Sequence, residues 1–374
     1  MNNTTVGAID SPRPGQVVFG SFISISGWAY EPSGVQAVVI RGLKRQVQGV
    51  VGLERADVAE ALRTPSARMS GFYLEVEGDE WSGRADLVVE STKGGQQLLG
   101  TVDATLDDRV FSVAQRRLLD ILACPTCHAF ISGKSSSCRR CGHELVWLGP
   151  VPSFLGRPQS SPSRGAPVSG HPALANAARY FDLAGGGVFL DAGAGHPPES
   201  HESVIQLEIE RFPTTNVVGD GTEMPFQDEA FDGVMSHAVM EHVRDPFAYS
   251  RELVRVLKPG GRVLVHSAFL QPVHAYPHHY FNTSLEGLKL LFPEIRILDA
   301  GVEAFQQPWV ALDWILRSYA KGINEEAEQQ RFLDQTVREL IGKDNQRSLA
   351  TFQSLNQEAV LELAAGVYLF GERA

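Results

Sequence analysis

At 374 residues the chain is long for one core, so two or three domains are expected. A 43% hydrophobic and 21% charged composition is that of an ordinary globular protein. A formal charge of −11 argues against a dedicated nucleic-acid binder. The start, "MNNTTVGAIDSPRPG", has neither a basic n-region nor an apolar h-region, and no apolar run reaches the roughly 18–20 residues of a membrane span. The expected location is the cytoplasm.

Residues 5–106 read as strands. "QVVFGSFISISGWAY", "VQAVVIRG", "GFYLEVEG", "RADLVVEST" and "QQLLGTVDATL" are β-rich, and "PRPG", "EPSG" and "STKGG" punctuate them. Short strands at this spacing suggest a small sandwich or barrel. The few charges form no evident catalytic cluster, so a structural or interaction role is expected. The segments "ISISGWAYEPSGVQAVVIRG" and "GLERADVAEALRTPSARMSGFYLEV" resemble bacterial immunoglobulin-like modules. Such modules occur beside glycan-building enzymes, so the resemblance implies glycan-biosynthesis enzymes as partners of the N-terminal region.

Residues 107–152 open with a helix, "DDRVFSVAQRRLLDIL", and run into Cys124-x-x-Cys127 and Cys138-x-x-Cys141. Two such knuckles can complete a tetrahedral Zn²⁺ site, and four protein ligands leave no open position for catalysis. The expectation is structural zinc, with disulfides as the competing reading. Lys134, Arg139 and Arg140 could offset the negative charge of four thiolates around one ion. "RRLLDILACPTCHAF" also resembles the start of Trm112-like zinc ribbons, which assist or accompany methyltransferases. Residues 153–172, rich in Ser, Pro and Gly, read as a linker.

From 173 to 374 strands and helices alternate. Expected strands are 187–191, 203–209, 215–219, 231–236 and 262–267, with a helix over 246–258 capped by Asp245 and started by Pro246. This pattern gives an α/β fold with a doubly wound parallel sheet, whose ligand site lies beyond the carboxyl ends of the strands.

The first strand ends in Asp191-Ala-Gly193-Ala-Gly195, the start of a nucleotide-binding turn, but His196-Pro197-Pro198 stands where a dinucleotide site needs its third glycine. Two prolines also remove backbone N–H groups from the place that would cradle a pyrophosphate. About a dozen residues separate the first two strands, near the minimum for a parallel crossover. The ligand is therefore expected to be a nucleoside without phosphate. Glu208, 17 positions after Asp191, ends the second strand, where a carboxylate can accept both ribose hydroxyls. Asp220 ends the third strand and can accept from an adenine amino group. Asp191 can serve an ammonium.

"VFLDAGAG", "VVGDGTEMPFQDEAFDGVMSHAVMEHVRDP" and "ELVRVLKPGGRVLVH" resemble class I S-adenosylmethionine-dependent methyltransferases with a Rossmann-like fold. The resemblance implies S-adenosylmethionine as cofactor. It implies that Asp191, Gly193 and Gly195 hold the methionine end, Glu208 the ribose, and Asp220 with Gly221 the adenine. Ser236 and His237, closing the fourth strand, join this set. The tail "GVYLFGERA" resembles the family's final antiparallel strand, which makes about 307–358 a helical insertion.

A hydroxyl acceptor must lose its proton, and nine of the 11 histidines lie between 171 and 279. His196, His237, His242 and His266 fall near strand ends. His274, His278, His279 and Tyr280 follow in a loop that resembles a pattern from methyltransferases near polysaccharide-assembly systems. His274 ranks first as general base, then His279 and His242. Tyr280 is expected to shape the acceptor pocket. A metal held by His274, His278 and His279 has no positioned carboxylate to strengthen it. The expected activity is O-methylation of a sugar or glycan intermediate. A small-molecule or natural-product methyltransferase with another acceptor atom and a non-catalytic scaffold are the rivals.

Overall fold

The computed structural model describes residues 5–156, 175, 177–197, 200–274, 278–322, 326–327, 329–330 and 365–373. The N-terminal region is two packed sheets. Strands β1 (Val6–Ser11), β3 (Phe22–Tyr30), β7 (Gly71–Glu77) and β6 (Val50–Leu53) form one sheet, in the order β1-β3-β7-β6. The other, in the order β2-β9-β8-β4-β5, is made of β2 (Gln16–Phe19), β9 (Gln96–Asp107), β8 (Arg84–Ser91), β4 (Val35–Arg41) and β5 (Val47–Gln48). Strand β3 alternates as the pleat demands: Ile23 and Ile25 are buried, Ser24 and Ser26 are not. Its buried face meets Val38, Ile40, Leu87 and Val89 of the second sheet. The result is a β-sandwich.

The helix Arg109–Ile121 forms as expected. The cysteine segment after it is not an independent unit. Strands β10 (Val146–Leu148) and β11 (Val151–Ser153) continue into a nine-stranded sheet with β14 (Val217–Val218), β13 (Val204–Glu208), β12 (Phe189–Ala192), β15 (Phe231–His237), β16 (Leu257–Ala268), β18 (Gly366–Arg373) and β17 (Ile295–Gly301), in that order. Leu118, Leu122, Cys124 and Cys138 share one buried cluster with Leu190, Ile205, Val217 and Tyr249. The expected linker therefore starts later than 153, because Ser153 pairs with Val218 and the Phe154 N–H donates to the Val218 carbonyl at 2.9 Å. Residues 157–172 lie outside the described residues.

The β12–β16 core of the sheet is parallel, and every residue of β12 is buried, as befits a strand covered on both faces. Asp245 caps the helix Pro246–Val256 by accepting from the Ala248 N–H at 2.9 Å. Strand β18 runs antiparallel between β16 and β17. Of the proposed insertion, the helix Pro308–Lys321 is described, whereas 331–358 lies outside the described residues. No helix among the described residues is long and apolar enough to cross a membrane.

The sandwich meets this sheet at the loop after β13. Arg211 donates to both Glu77 oxygens at 2.7 and 2.8 Å, and its guanidinium lies 4.4 Å from the Phe22 ring centroid. The Ser21 N–H donates to the Pro213 carbonyl at 2.8 Å. Gly20 is required there: a Cβ would stand 2.0 Å from that carbonyl oxygen.

Candidate active site

The glycine turn leaves β12 with Gly193 and Gly195 at positive φ, +76° and +63°. A Cβ at Gly193 would also meet Val239 at 2.5 Å. Among the described residues between β12 and β13 there is no helix, so those residues offer no helix N-terminus to attract a phosphate. The turn is tied to the next strand instead. The Gly193 N–H donates to the Leu207 carbonyl at 2.9 Å, and the Gly195 N–H to Glu208 Oε2 at 2.9 Å. Glu208 Oε1 accepts from the Ile209 N–H at 2.8 Å, yet burial still raises its pKa.

Asp191 is buried, and its Oδ2 has no hydrogen-bond partner among the described residues. Burial, with the Glu208 charge behind it, pushes its pKa up to about 7. Asp220 is exposed at the end of β14, its Oδ1 accepting from the Thr222 N–H and hydroxyl at 2.8 and 2.7 Å. Gly221 has Tyr249 against it, since a Cβ would stand 2.4 Å from the ring.

Ser236 faces inward. It is fully buried, and its hydroxyl pairs with the Tyr249 hydroxyl at 2.9 Å, which in turn donates to the Ala192 carbonyl at 3.0 Å. Tyr249 thus braces three strand ends, a role that sequence reading missed because the residue sits on a helix, 28 positions beyond Gly221. His237 pairs in register with His266, their rings stacked 4.4 Å apart. His266 is buried with its Nε2 4.0 Å from Glu303, and burial lowers its pKa. Glu303 accepts from the Tyr180 hydroxyl at 2.7 Å and pairs with Arg179 at 2.5 Å. His266, Arg179 and Tyr180 together hold it far below the usual carboxylate range.

The loop after β16 brings His274 and His279 to His242, with ring centroids 4.9 and 5.8 Å from the His242 ring. Burial lowers the pKa of His242 and of His274. His278 is exposed and contributes its carbonyl rather than its ring. Tyr280 turns outward, 45% exposed beside Arg244. Its backbone N–H anchors the loop by donating to the Glu241 carbonyl at 2.6 Å. The carboxylate that the sequence did not reveal is Glu241 itself, fully buried beside His242, with burial pushing its pKa up to about 7. Only its adjacency to a histidine could have signalled it.

The four cysteines converge as free thiols. Their sulfurs lie within 4.8 Å of one another, with Cys124–Cys141 at 3.5 Å and Cys127–Cys138 at 3.6 Å. Bonds of about 2.3 Å in a tetrahedron require sulfurs roughly 3.8 Å apart, so the set fits one Zn²⁺.

Residues 199–265 match the family described as "Methyltransferase domain". Demethylmenaquinone methyltransferase of Streptomyces griseus is 37% identical over 136 residues, covering 34% of this chain and 58% of that enzyme. Norajmaline N-methyltransferase of Rauvolfia serpentina is 35% identical over 72 residues, 19% of this chain and 22% of that one. The chain thus spans little more than half of the first relative and under a quarter of the second. Among solved structures, a geranyl diphosphate C-methyltransferase of Streptomyces coelicolor aligns with a TM-score of 0.31 at 14% identity, over 54% of this chain and 79% of that one. Residues 199–265 are thus similar to a methyltransferase domain, a likeness that the family match and the curated relatives share.

Proposed function

We propose that this chain transfers a methyl group from S-adenosylmethionine to a small-molecule hydroxyl. The observation that carries the reading is the pair of acids at the ends of β12 and β13. Asp191 has a buried oxygen without a partner, and Glu208 is held at the glycine turn by two backbone N–H groups. An ammonium would compensate Asp191, and ribose hydroxyls would donate to Glu208. Asp220 and Gly221 would border the adenine, with Tyr249 bracing the wall behind them.

Methyl transfer from a sulfonium needs alignment more than acid–base machinery. A hydroxyl acceptor adds the need to place a proton, and the His242, His274 and His279 group supplies imidazoles for it, His274 first. A sugar or glycan hydroxyl is the acceptor suggested by the loop's resemblance. The names of the curated relatives favour demethylmenaquinone as a second reading. The four cysteines would hold a structural zinc, and the sandwich would serve as an immunoglobulin-like accessory module.

Calorimetry tests the cofactor. S-adenosylmethionine should bind in the micromolar range, and Glu208→Ala should weaken it by roughly 1–3 kcal/mol through loss of buried hydrogen bonds. Unaltered affinity in the variant would remove Glu208 from the site. Labelled cofactor offered with sugar, lipid-linked glycan and quinone pools then separates the acceptors.

A further inference from the structure

A carboxylate and two imidazoles meet where the turn Met240–His242 faces the loop after β16. Glu241 is 0% exposed, and neither of its carboxylate oxygens has a hydrogen-bond partner among the described residues. One of those oxygens, a ring nitrogen of His242 and one of His274 lie within 4.8 Å of one another.

The backbone presets both imidazoles. His242 Nδ1 lies 2.6 Å from the His278 carbonyl oxygen, and His274 Nδ1 lies 3.1 Å from that of Pro272. A carbonyl only accepts, so each Nδ1 carries the hydrogen and each Nε2 keeps its lone pair. Metal-bound histidines are oriented in this manner. His279 supports the arrangement from behind: its Nδ1 accepts from the His274 N–H at 3.3 Å, and its Nε2 donates to Asn282 Oδ1 at 2.6 Å. Trp314 stacks on His274 with centroids 5.2 Å apart.

We propose that Glu241, His242 and His274 bind one divalent first-row transition-metal ion through a carboxylate oxygen and two Nε2 atoms. Two imidazoles and one carboxylate suit zinc, iron or cobalt better than magnesium, and three protein ligands leave positions open. Bonds of about 2.0–2.2 Å bring ligand atoms to roughly 3–3.5 Å apart, so the imidazoles swing inward on binding. The cation compensates a buried carboxylate whose desolvation outweighs the help of the nearby Glu241 and Ala268 backbone N–H groups. An acceptor oxygen on an open position would lose its proton more readily, with His274 then a ligand rather than a free base. That last consequence rests on the methyl-transfer reading, whereas metal binding does not.

The test is a cobalt titration of full-length protein whose cysteine site has first been filled with zinc. One further equivalent should bind, with ligand-field bands of nitrogen- and oxygen-ligated cobalt and no sulfur charge-transfer band. Glu241→Gln and His274→Ala should each weaken that binding at least 100-fold, while zinc at the cysteines stays at one per chain. Thermal melts check that the variants fold, and the half-buried His274 carries the test if Glu241→Gln does not. Absence of the second equivalent, its retention in the folded variants, or a sulfur band would each overturn the proposal. Because S-adenosylmethionine binding is measured separately, loss of one result does not imply loss of the other.

Discussion

Two regions of the molecule bury carboxylates, and Glu31 in the first is treated in the opposite way from Asp191 and Glu241 in the second. In the sandwich, Glu31 is 6% exposed and accepts from the hydroxyls of Ser33, Ser91 and Thr5, at 2.5, 2.8 and 3.1 Å. Those hydrogen bonds, Ser33 first, hold its pKa below the usual value. In the α/β part of the chain, Asp191 Oδ2 and both Glu241 oxygens are buried without a hydrogen-bond partner among the described residues, and burial pushes both groups up to about 7. A satisfied buried acid fixes a fold, whereas an unsatisfied one costs stability until a ligand arrives. The contrast supports the proposed structural role of the sandwich and the proposed cationic group at the sheet edge.

The largest expected effect concerns a third arrangement, the four thiols, where the ligand would be part of the fold. Binding of structural zinc is coupled to folding, at apparent values of about 10–16 kcal/mol in small modules. Cys124→Ser should abolish stoichiometric zinc and destabilise more than the cysteine segment. Leu118, Leu122 and Cys124 share their core with Val217 and Phe226, so hydrogen exchange should quicken in β11 and β14 as well as in 118–150. Exchange confined to the cysteine segment would show that the shared core is not a cooperative unit. Reduced, carefully prepared wild-type protein lacking zinc would remove the metal from the site.

The sheet edge was legible in the sequence because its signals are local. An apolar strand, a glycine turn and a strand-end acid recur within a few residues each, which located Asp191, Gly193, Gly195, Glu208 and Asp220. The cap at Asp245 was legible for the same reason: its side chain accepts from an N–H three residues on. What escaped depends on long-range packing. Strand β11 has the sequence Val-Pro-Ser, and a proline in three residues reads as loop. The sequence places Ser236 at a strand end beside the expected cofactor contacts, and only the packed helix brings the Tyr249 hydroxyl to it. Trp314 falls on His274 only because the helix Pro308–Lys321 folds back over the loop.

Asp191→Asn probes the unsatisfied acid at intermediate magnitude. With a native pKa of about 7 against an ordinary value of 3.8, the folded state holds this proton more tightly than the unfolded state. The group's contribution is fully present below the unfolded value and is lost as pH rises through the folded one. The amide removes that loss. Cofactor-free Asp191→Asn should therefore match wild type near pH 4 and exceed it at pH 8, by roughly 1–4 kcal/mol. Its S-adenosylmethionine affinity should fall, because the ammonium loses its counter-charge. Denaturant melts at the two pH values measure the first effect and calorimetry the second. Equal stability at both pH values would mean that Asp191 already has a partner.

The smallest effect should come from the satisfied acid. Glu31→Gln keeps a carbonyl oxygen for the Ser33 and Ser91 hydroxyls but weakens charge-assisted bonds to neutral ones, a loss of about 1–2 kcal/mol. The sign with pH is opposite to that of Asp191. A depressed carboxylate pKa contributes stability that is present above the unfolded value and lost as pH falls through the folded one. The difference between Glu31→Gln and wild type should therefore be full at pH 7 and shrink in acid. Cofactor affinity should not change, since the Glu31 carboxylate is hydrogen-bonded to Thr5, Ser33 and Ser91, all within the sandwich. A weakened S-adenosylmethionine affinity in this variant would break the comparison. It would show that strain in the sandwich reaches the loop after Glu208, and the contact of Arg211 with Glu77 and Phe22 would be the route to examine.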